Sequence, residues 1–135
     1  MRLSKAVADF IGLARVSRVA TVDRQGRPHV VPVCHVVADG ELYFASGSDS
    51  KKIRNLRSGR PWVAVAVDDY TEAWPGLKGV MVVGEAKLLD RGSRFRSVRR
   101  LLYTKYPQYE REAAIEEGES VIVAIHPRQI VSWGF

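Results

Sequence analysis

The feature that most constrains this chain is a series of short β-branched runs joined by turns too brief to hold a helix. Val19-Ala20-Thr21-Val22 runs into Asp23-Arg24-Gln25-Gly26, whose glycine is free to take positive φ. A Val-rich run, Val30 to Val37, follows, and Asp39-Gly40 then signals a hairpin into Glu41 to Ser46. Parallel neighbours need a crossover of a dozen or more residues, so these runs are expected to pair antiparallel. Pro32 interrupts the second run and cannot donate to a ladder, which puts it at an edge, at a bulge or beside a ligand.

Helical spacing appears only at the margins. Leu3, Val7, Phe10, Ile11 and Ala14 share one face and predict a helix from Leu3 to Ala14. A short helix from Lys51 to Arg57 has Ile53 and Leu56 on its apolar side and ends at Ser58-Gly59, before Pro61. Trp62 to Val67 reads as a strand, and Asp68 to Gly76 as a polar loop carrying Tyr70 and Trp74. A long strand from Gly79 to Leu89 follows, with a bulge expected at Gly84. Phe95, Val98, Leu101 and Leu102 mark another helix, and Tyr109 to Glu117 a further helical piece. The last strand runs from Ser120 to Ile125 and continues through Pro127 to Trp133. Together these predict an α+β chain, mainly antiparallel β: a six-stranded barrel with flanking helices, one domain over residues 1–135.

Composition narrows the setting. A chain of 135 residues, 46% hydrophobic and 27% charged, suits one globular core and excludes collagenous or disulfide-framework classes. Cys34 is the sole cysteine, so no internal disulfide forms and a reducing compartment is expected. Arg2, Lys5 and Asp9 break any leader-like apolar run, and no uncharged stretch approaches the ~20 residues of a membrane helix. A cytoplasmic location is the expectation. The net charge of +6 attracts polyanions in general, so the position of the charge carries the information.

The motifs of several chemistries are missing. There is no Gly-x-Ser-x-Gly elbow, no Walker sequence, no Gly-x-Gly-x-x-Gly and no paired Cys-x-x-Cys. Cys34 lies in an apolar strand, unsuited to an activated nucleophile. The informative segment is Ser46-Gly47-Ser48-Asp49-Ser50-Lys51-Lys52, which joins a strand end to a helix start. Free amides, the Ser50 hydroxyl and the charges of Lys51 and Lys52 suit an anion there, and Arg54, Arg57 and Arg60 extend the patch. The plainer alternative is Ser50 as a helix cap before a solvated basic helix. The Arg-rich stretch from Arg91 to Arg111 is balanced by Glu110, Glu112, Glu116, Glu117 and Glu119, so it argues little for nucleic acid. Tyr43, Phe44 and Trp62 are expected in the core rather than on a nucleic-acid platform.

These residues, taken in order, resemble a known family. Val19-Ala20-Thr21-Val22-Asp23, then Gly26-Arg27-Pro28-His29-Val30-Val31-Pro32-Val33, is similar to the opening of the flavin-binding split barrels related to pyridoxamine 5′-phosphate oxidase. Ser50-Lys51-Lys52, Ile53-Arg54-Asn55-Leu56 and Pro61-Trp62-Val63-Ala64-Val65 keep the register, and Ile130-Val131-Ser132-Trp133 fits the closing strand. Asp68-Asp69-Tyr70-x-Glu72-x-Trp74 looks like the branch that uses the deazaflavin coenzyme F-420. The chain departs from the true oxidases at Val31 and Val36, where those carry an Arg and a Lys for the FMN phosphate.

The resemblance implies an oxidoreductase that is a homodimer, with FMN or F-420 in a groove between chains and a small organic acceptor. The ring would rest on backbone near Thr21, Pro32 and Val33. Its phosphate would lie at Ser46, Ser50, Lys51 and Lys52, with Arg57 on a basic lane, and Trp74 and Trp133 would wall the ring or the substrate space or else pack between chains. No catalytic triad is required, because the chemistry belongs to the ring. The alternative is a barrel that binds FMN or haem without turnover, with His29, His35 or His126 as the iron ligand.

Overall fold

The computed structural model describes residues 2–135. Helix α1 (Lys5–Leu13) is capped by the Ser4 side chain, which accepts from the Val7 amide. The strands β1 (Ser17–Val22), β2 (Pro28–Val33), β3 (His35–Ala38) and β4 (Glu41–Gly47) precede α2 (Lys51–Arg57). Then come β5 (Trp62–Asp69), a single 3-10 turn (Trp74–Gly76), β6 (Lys78–Leu89), α3 (Ser93–Lys105), the short α4 (Tyr109–Glu112) and β7 (Ser120–Trp133). Among the described residues, no helix is long and apolar enough to cross a membrane.

The strands form one antiparallel sheet in the order β2-β1-β5-β6-β7-β4-β3. Its two terminal strands, β2 and β3, are consecutive in the chain and only Cys34 separates them. One residue cannot span a flat seven-strand sheet, so the sheet must curl until its edges meet, which is the split barrel. This corrects the expected strand count from six to seven. The run Val30 to Val37 divides at Cys34 because its first half pairs with β1 and its second half with β4. Pro32 lies in β2, the strand at one end of the pairing order, so its missing donor costs no interior ladder bond.

Two other expectations change. The helical piece foreseen to Glu117 stops at Glu112, one turn beyond Pro107. The expected bulge is present: the β6–β7 register passes from Val83↔Gln129 to Gly84↔Pro127 and skips Arg128. Gly84 is required there, since a Cβ would lie 2.5 Å from the His126 carbonyl oxygen. The Asp39-Gly40 hairpin forms with φ of 51° and 77°, the left-handed pair that a two-residue turn of this hand demands.

The interior is filled by alternate residues of each strand, including Val19, Phe44, Val65, Val82 and Ile125, and is closed by Ile11 of α1 and Ile53 of α2. A second cluster lies outside the barrel, where Phe95, Val98 and Leu102 of α3 cover Val36, Tyr43, Ile122 and Ala124 of β3, β4 and β7. Among the described residues, no helix covers the outer side of β2, β1, β5 and β6 in the same way. Val30 of β2 and Trp62 of β5 stay exposed there, as does Val131 on the adjoining β7.

Candidate functional site

The β1–β2 turn and α2 face each other across a groove of about 220 Å3, lined by Asp23, Arg24, Arg27, Lys51, Arg54 and Asn55 among others. Asp23 builds the turn. Its carboxylate accepts from the amides of Gln25 and Arg27, each at 2.9 Å, and from Arg27 Nε at 2.8 Å. The Arg27 bonds hold the Asp23 carboxyl below its ordinary value. The turn is tied to α2 by Asn55, whose Nδ2 donates to Thr21 Oγ1 at 3.0 Å in a buried bond. Arg60 donates to the Arg24 carbonyl at 3.2 Å and braces the same turn.

Charge in the groove is one-sided. Arg27 is paired with Asp23. Among the described residues, Arg24, Lys51 and Arg54 form no ion pair with a carboxylate. Cations grouped without counter-charges repel one another and favour an anion between them. Lys52 is half-buried, and burial lowers its ammonium pKa; Arg57 is exposed at the end of α2.

Beside this groove is a second hollow of about 220 Å3, lined by Ala20, Thr21, Val22, Pro28, Trp62, Val63, Ala64 and Val83. Thr21 and Asn55 therefore join the two. This hollow is almost wholly apolar and opens on the uncovered outer face. Trp62, expected in the core, is 49% exposed, because the alternation of β5 sends Val63, Val65 and Val67 inward and Trp62, Ala64 and Ala66 outward.

The predicted site residues separate into groups. Ser46 and Ser50 do meet, hydroxyl to hydroxyl at 2.9 Å. Ser50 is also the N-cap of α2 and accepts from the Ile53 amide at 3.5 Å, so its hydroxyl is engaged within the chain. Lys51 lines the basic groove. The Thr21 side chain is buried and bonded to Asn55, and Val33 is buried in the core, so these offer only backbone outward. Pro32 is exposed on β2. Trp74 is 68% exposed beyond the far end of β5, and its Nε1 donates to the Tyr70 hydroxyl at 3.4 Å. With β5 between them, Trp74 and α2 are not brought together within the chain. Arg24, Arg27 and Asn55 were missed. Their sequence signal was only a turn and a polar residue beside Leu56, and it is the buried Thr21–Asn55 bond that turns them into a site.

The three histidines differ. His35 is 1% exposed, and its Nε2 donates to the Ile11 carbonyl at 2.7 Å, while Nδ1 is buried without a partner. Burial pushes its pKa down to about 4, so the ring is neutral near pH 7. His29 Nδ1 is likewise buried without a partner. His126 keeps a partly exposed ring, with Nδ1 3.2 Å from Glu41 Oε2. His29 and His126 are both partly exposed, whereas His35 is enclosed.

The chain is a split barrel, a seven-stranded sheet curled on itself, with a basic groove opening beside an apolar hollow on its outer face. The pyridoxamine 5′-phosphate oxidase family profile matches residues 3–134, nearly the whole chain, and the chain belongs to that family. A curated relative from Streptomyces rimosus, 5a,11a-dehydrotetracycline/5a,11a-dehydrooxytetracycline reductase, is 31% identical over 122 residues, covering 87% of this chain and 72% of its own. Among solved structures, a conserved hypothetical protein from Mycobacterium tuberculosis superposes with a TM-score of 0.83 at 26% identity, over 97% of this chain and 84% of the other. A FAD-binding protein from Mesorhizobium loti gives a TM-score of 0.75, also at 26% identity, over 96% of this chain and 94% of the other. These relationships support a flavin-type oxidoreductase.

Proposed function

We propose that the chain is an FMN- or F-420-dependent oxidoreductase that works as a homodimer, reducing a small organic acceptor. The observation that carries this reading is the pairing of unneutralised Arg24, Lys51 and Arg54 with the adjoining apolar hollow. The residues present fit both ends of such a cofactor. Lys51, Arg54 and Arg24, with Ser46, Ser50, Lys52 and Arg57 around them, would hold the tail phosphate, and Arg60 would meet a longer polycarboxylate tail. Ala20, Ala64 and Val83, with the backbone at Thr21 and Pro32-Val33, would hold the ring.

When bound, a flavin or deazaflavin supplies hydride transfer at its ring. The protein's part is to hold the tail, keep the ring in one plane and exclude water from one side of it. The uncovered face of β2, β1, β5 and β6 supports a second copy of this chain as the cover for the other side, since exposed apolar patches rimmed by polar groups mark interaction sites. Trp74, beyond the far end of β5, and Trp133, at the end of β7, would enter such a site from the second copy. The reductase name of the Streptomyces relative supports net reduction of the acceptor.

The test is a double variant, Lys51→Ala with Arg54→Ala, titrated with FMN and with F-420 while ring fluorescence is followed. At least tenfold weaker binding and a flatter salt dependence are expected. Unchanged affinity would remove the tail from this groove.

A further inference from the structure

The outer face left bare by the helices carries two charges that find no partner in the chain. Strand alternation turns Arg18 of β1 outward with Ala66 and Asp68 of β5. One row across the sheet reads Pro32, Arg18, Ala66, Met81 and Val131, so its single charge is flanked by apolar residues on both sides. Asp68 stands two residues beyond Ala66 and is therefore the diagonal neighbour of Arg18, roughly 7–8 Å away between backbones. Among the described residues, neither Arg18 nor Asp68 forms an ion pair. Glu85, outward on β6, is already taken by Arg128, whose Nε donates to its Oε1 at 2.8 Å.

The apolar residues of this face favour a cover, but the two charges restrict what the cover can be. A purely apolar partner would bury both of them unpaired, which is strongly unfavourable. A compatible cover must bring a carboxylate to Arg18 and a cation to Asp68, with the spacing that these two residues have. A second copy of the chain meets that condition with no further residue. A two-fold axis lying between the two faces, and crossing midway between Arg18 and Asp68, exchanges the two positions. Arginine is suited to the contact, because its planar fork can hold a carboxylate through two N–H groups.

We propose that two copies of this chain pair through the outer faces of β1, β5 and β6, on a two-fold axis that sets Arg18 against the partner's Asp68 in two symmetric ion pairs. This rests on the homodimer of the reading above and specifies its interface and register. The pairs give the contact its specificity, since a shift along the strands would set each charge against an apolar residue. Ala20 and Ala64, the next outward pair beside Arg18 and Ala66, line the apolar hollow, so this contact also covers that hollow.

The experiment uses two charge reversals, Arg18→Asp and Asp68→Arg, on chains of different mass, followed by sedimentation velocity and native mass spectrometry with no ligand added. Wild type should be a dimer. Each reversal alone sets like charges across the axis, so its dimer Kd should rise roughly tenfold or more. Mixed in equal amounts, the two variants should recover a dimer holding one chain of each kind, because every reversed charge then faces its opposite. Arg18→Gln and Asp68→Asn keep the test valid if a reversal fails to fold. Each should weaken the dimer, and the two combined should weaken it no further than the more damaging single change, within about threefold. Reversals that dimerise as wild type does, a mixture that pairs at random or stays monomeric, or neutral changes without effect or with additive effects would each overturn the proposal. A monomeric wild type would instead defeat the homodimer reading, and this proposal with it.

Discussion

His35 makes the barrel's stability depend on pH in a way that can be worked from its surroundings. The ring is buried where the chain passes from β2 to β3, with Nε2 donating to the Ile11 carbonyl and Nδ1 enclosed without a partner. Burial is the main cause that lowers its pKa from 6.5 to about 4; the Ile11 bond opposes the shift, and the charges of Lys105 and Arg15 add to it. Between those values the unfolded chain binds the proton and the folded chain does not. Stability is therefore intact above pH 6.5 and is lost as the pH falls toward 4. At 1.36 kcal/mol per unit, the loss reaches about 3 kcal/mol by pH 4, a large part of an ordinary domain's stability. Urea unfolding of wild type and His35→Gln at pH 7, 5.5 and 4 isolates this contribution, because other acid-labile groups are common to both. Glutamine keeps a donor for Ile11 and does not titrate, so its curve should fall by about 3 kcal/mol less than that of wild type. Parallel losses in the two proteins would refute the reasoning.

Other perturbations have equally direct readouts. Trp133 lies on Gly79, where a Cβ would come 2.1 Å from its ring, so Gly79→Ala should cost about 1–3 kcal/mol and shift tryptophan emission; an unchanged Tm and spectrum would contradict the packing. The Tyr106 hydroxyl accepts from the His35 amide and lies 2.9 Å from both the Arg15 and His35 carbonyls, holding the seam where the sheet edges meet. Tyr106→Phe should cost about 1–3 kcal/mol in urea unfolding and speed amide exchange at His35. Protection of that amide equal to wild type would place the seam's closure elsewhere.

Much of the fold could be read locally, because the signals concerned are local. Asp39-Gly40 needs two left-handed residues, Ser50 caps the helix that follows it, and Gly84 marks the strand where a Cβ has no room. The break at Cys34 is different in kind. Val30 to Val37 is uniformly β-forming, and only the choice of partners, β1 for one half and β4 for the other, divides it. The outward turn of Trp62 was hidden for a related reason. In β5 both faces carry apolar residues, so alternation could not say which face was inside. The basic lane from Lys51 was legible as charge, but its opposite bank was not, since Arg24 and Arg27 read as an ordinary turn until Asn55 ties that turn to α2.

The most direct test of the account is the cofactor itself. Purified protein should be titrated with FMN, with F-420 and with haem, with bound stoichiometry and molecular mass measured on the same samples. The account predicts one equivalent of FMN or F-420 per chain, bound by a dimer and released by high salt. Binding of haem alone, or a monomer that takes up none of the three, would contradict it.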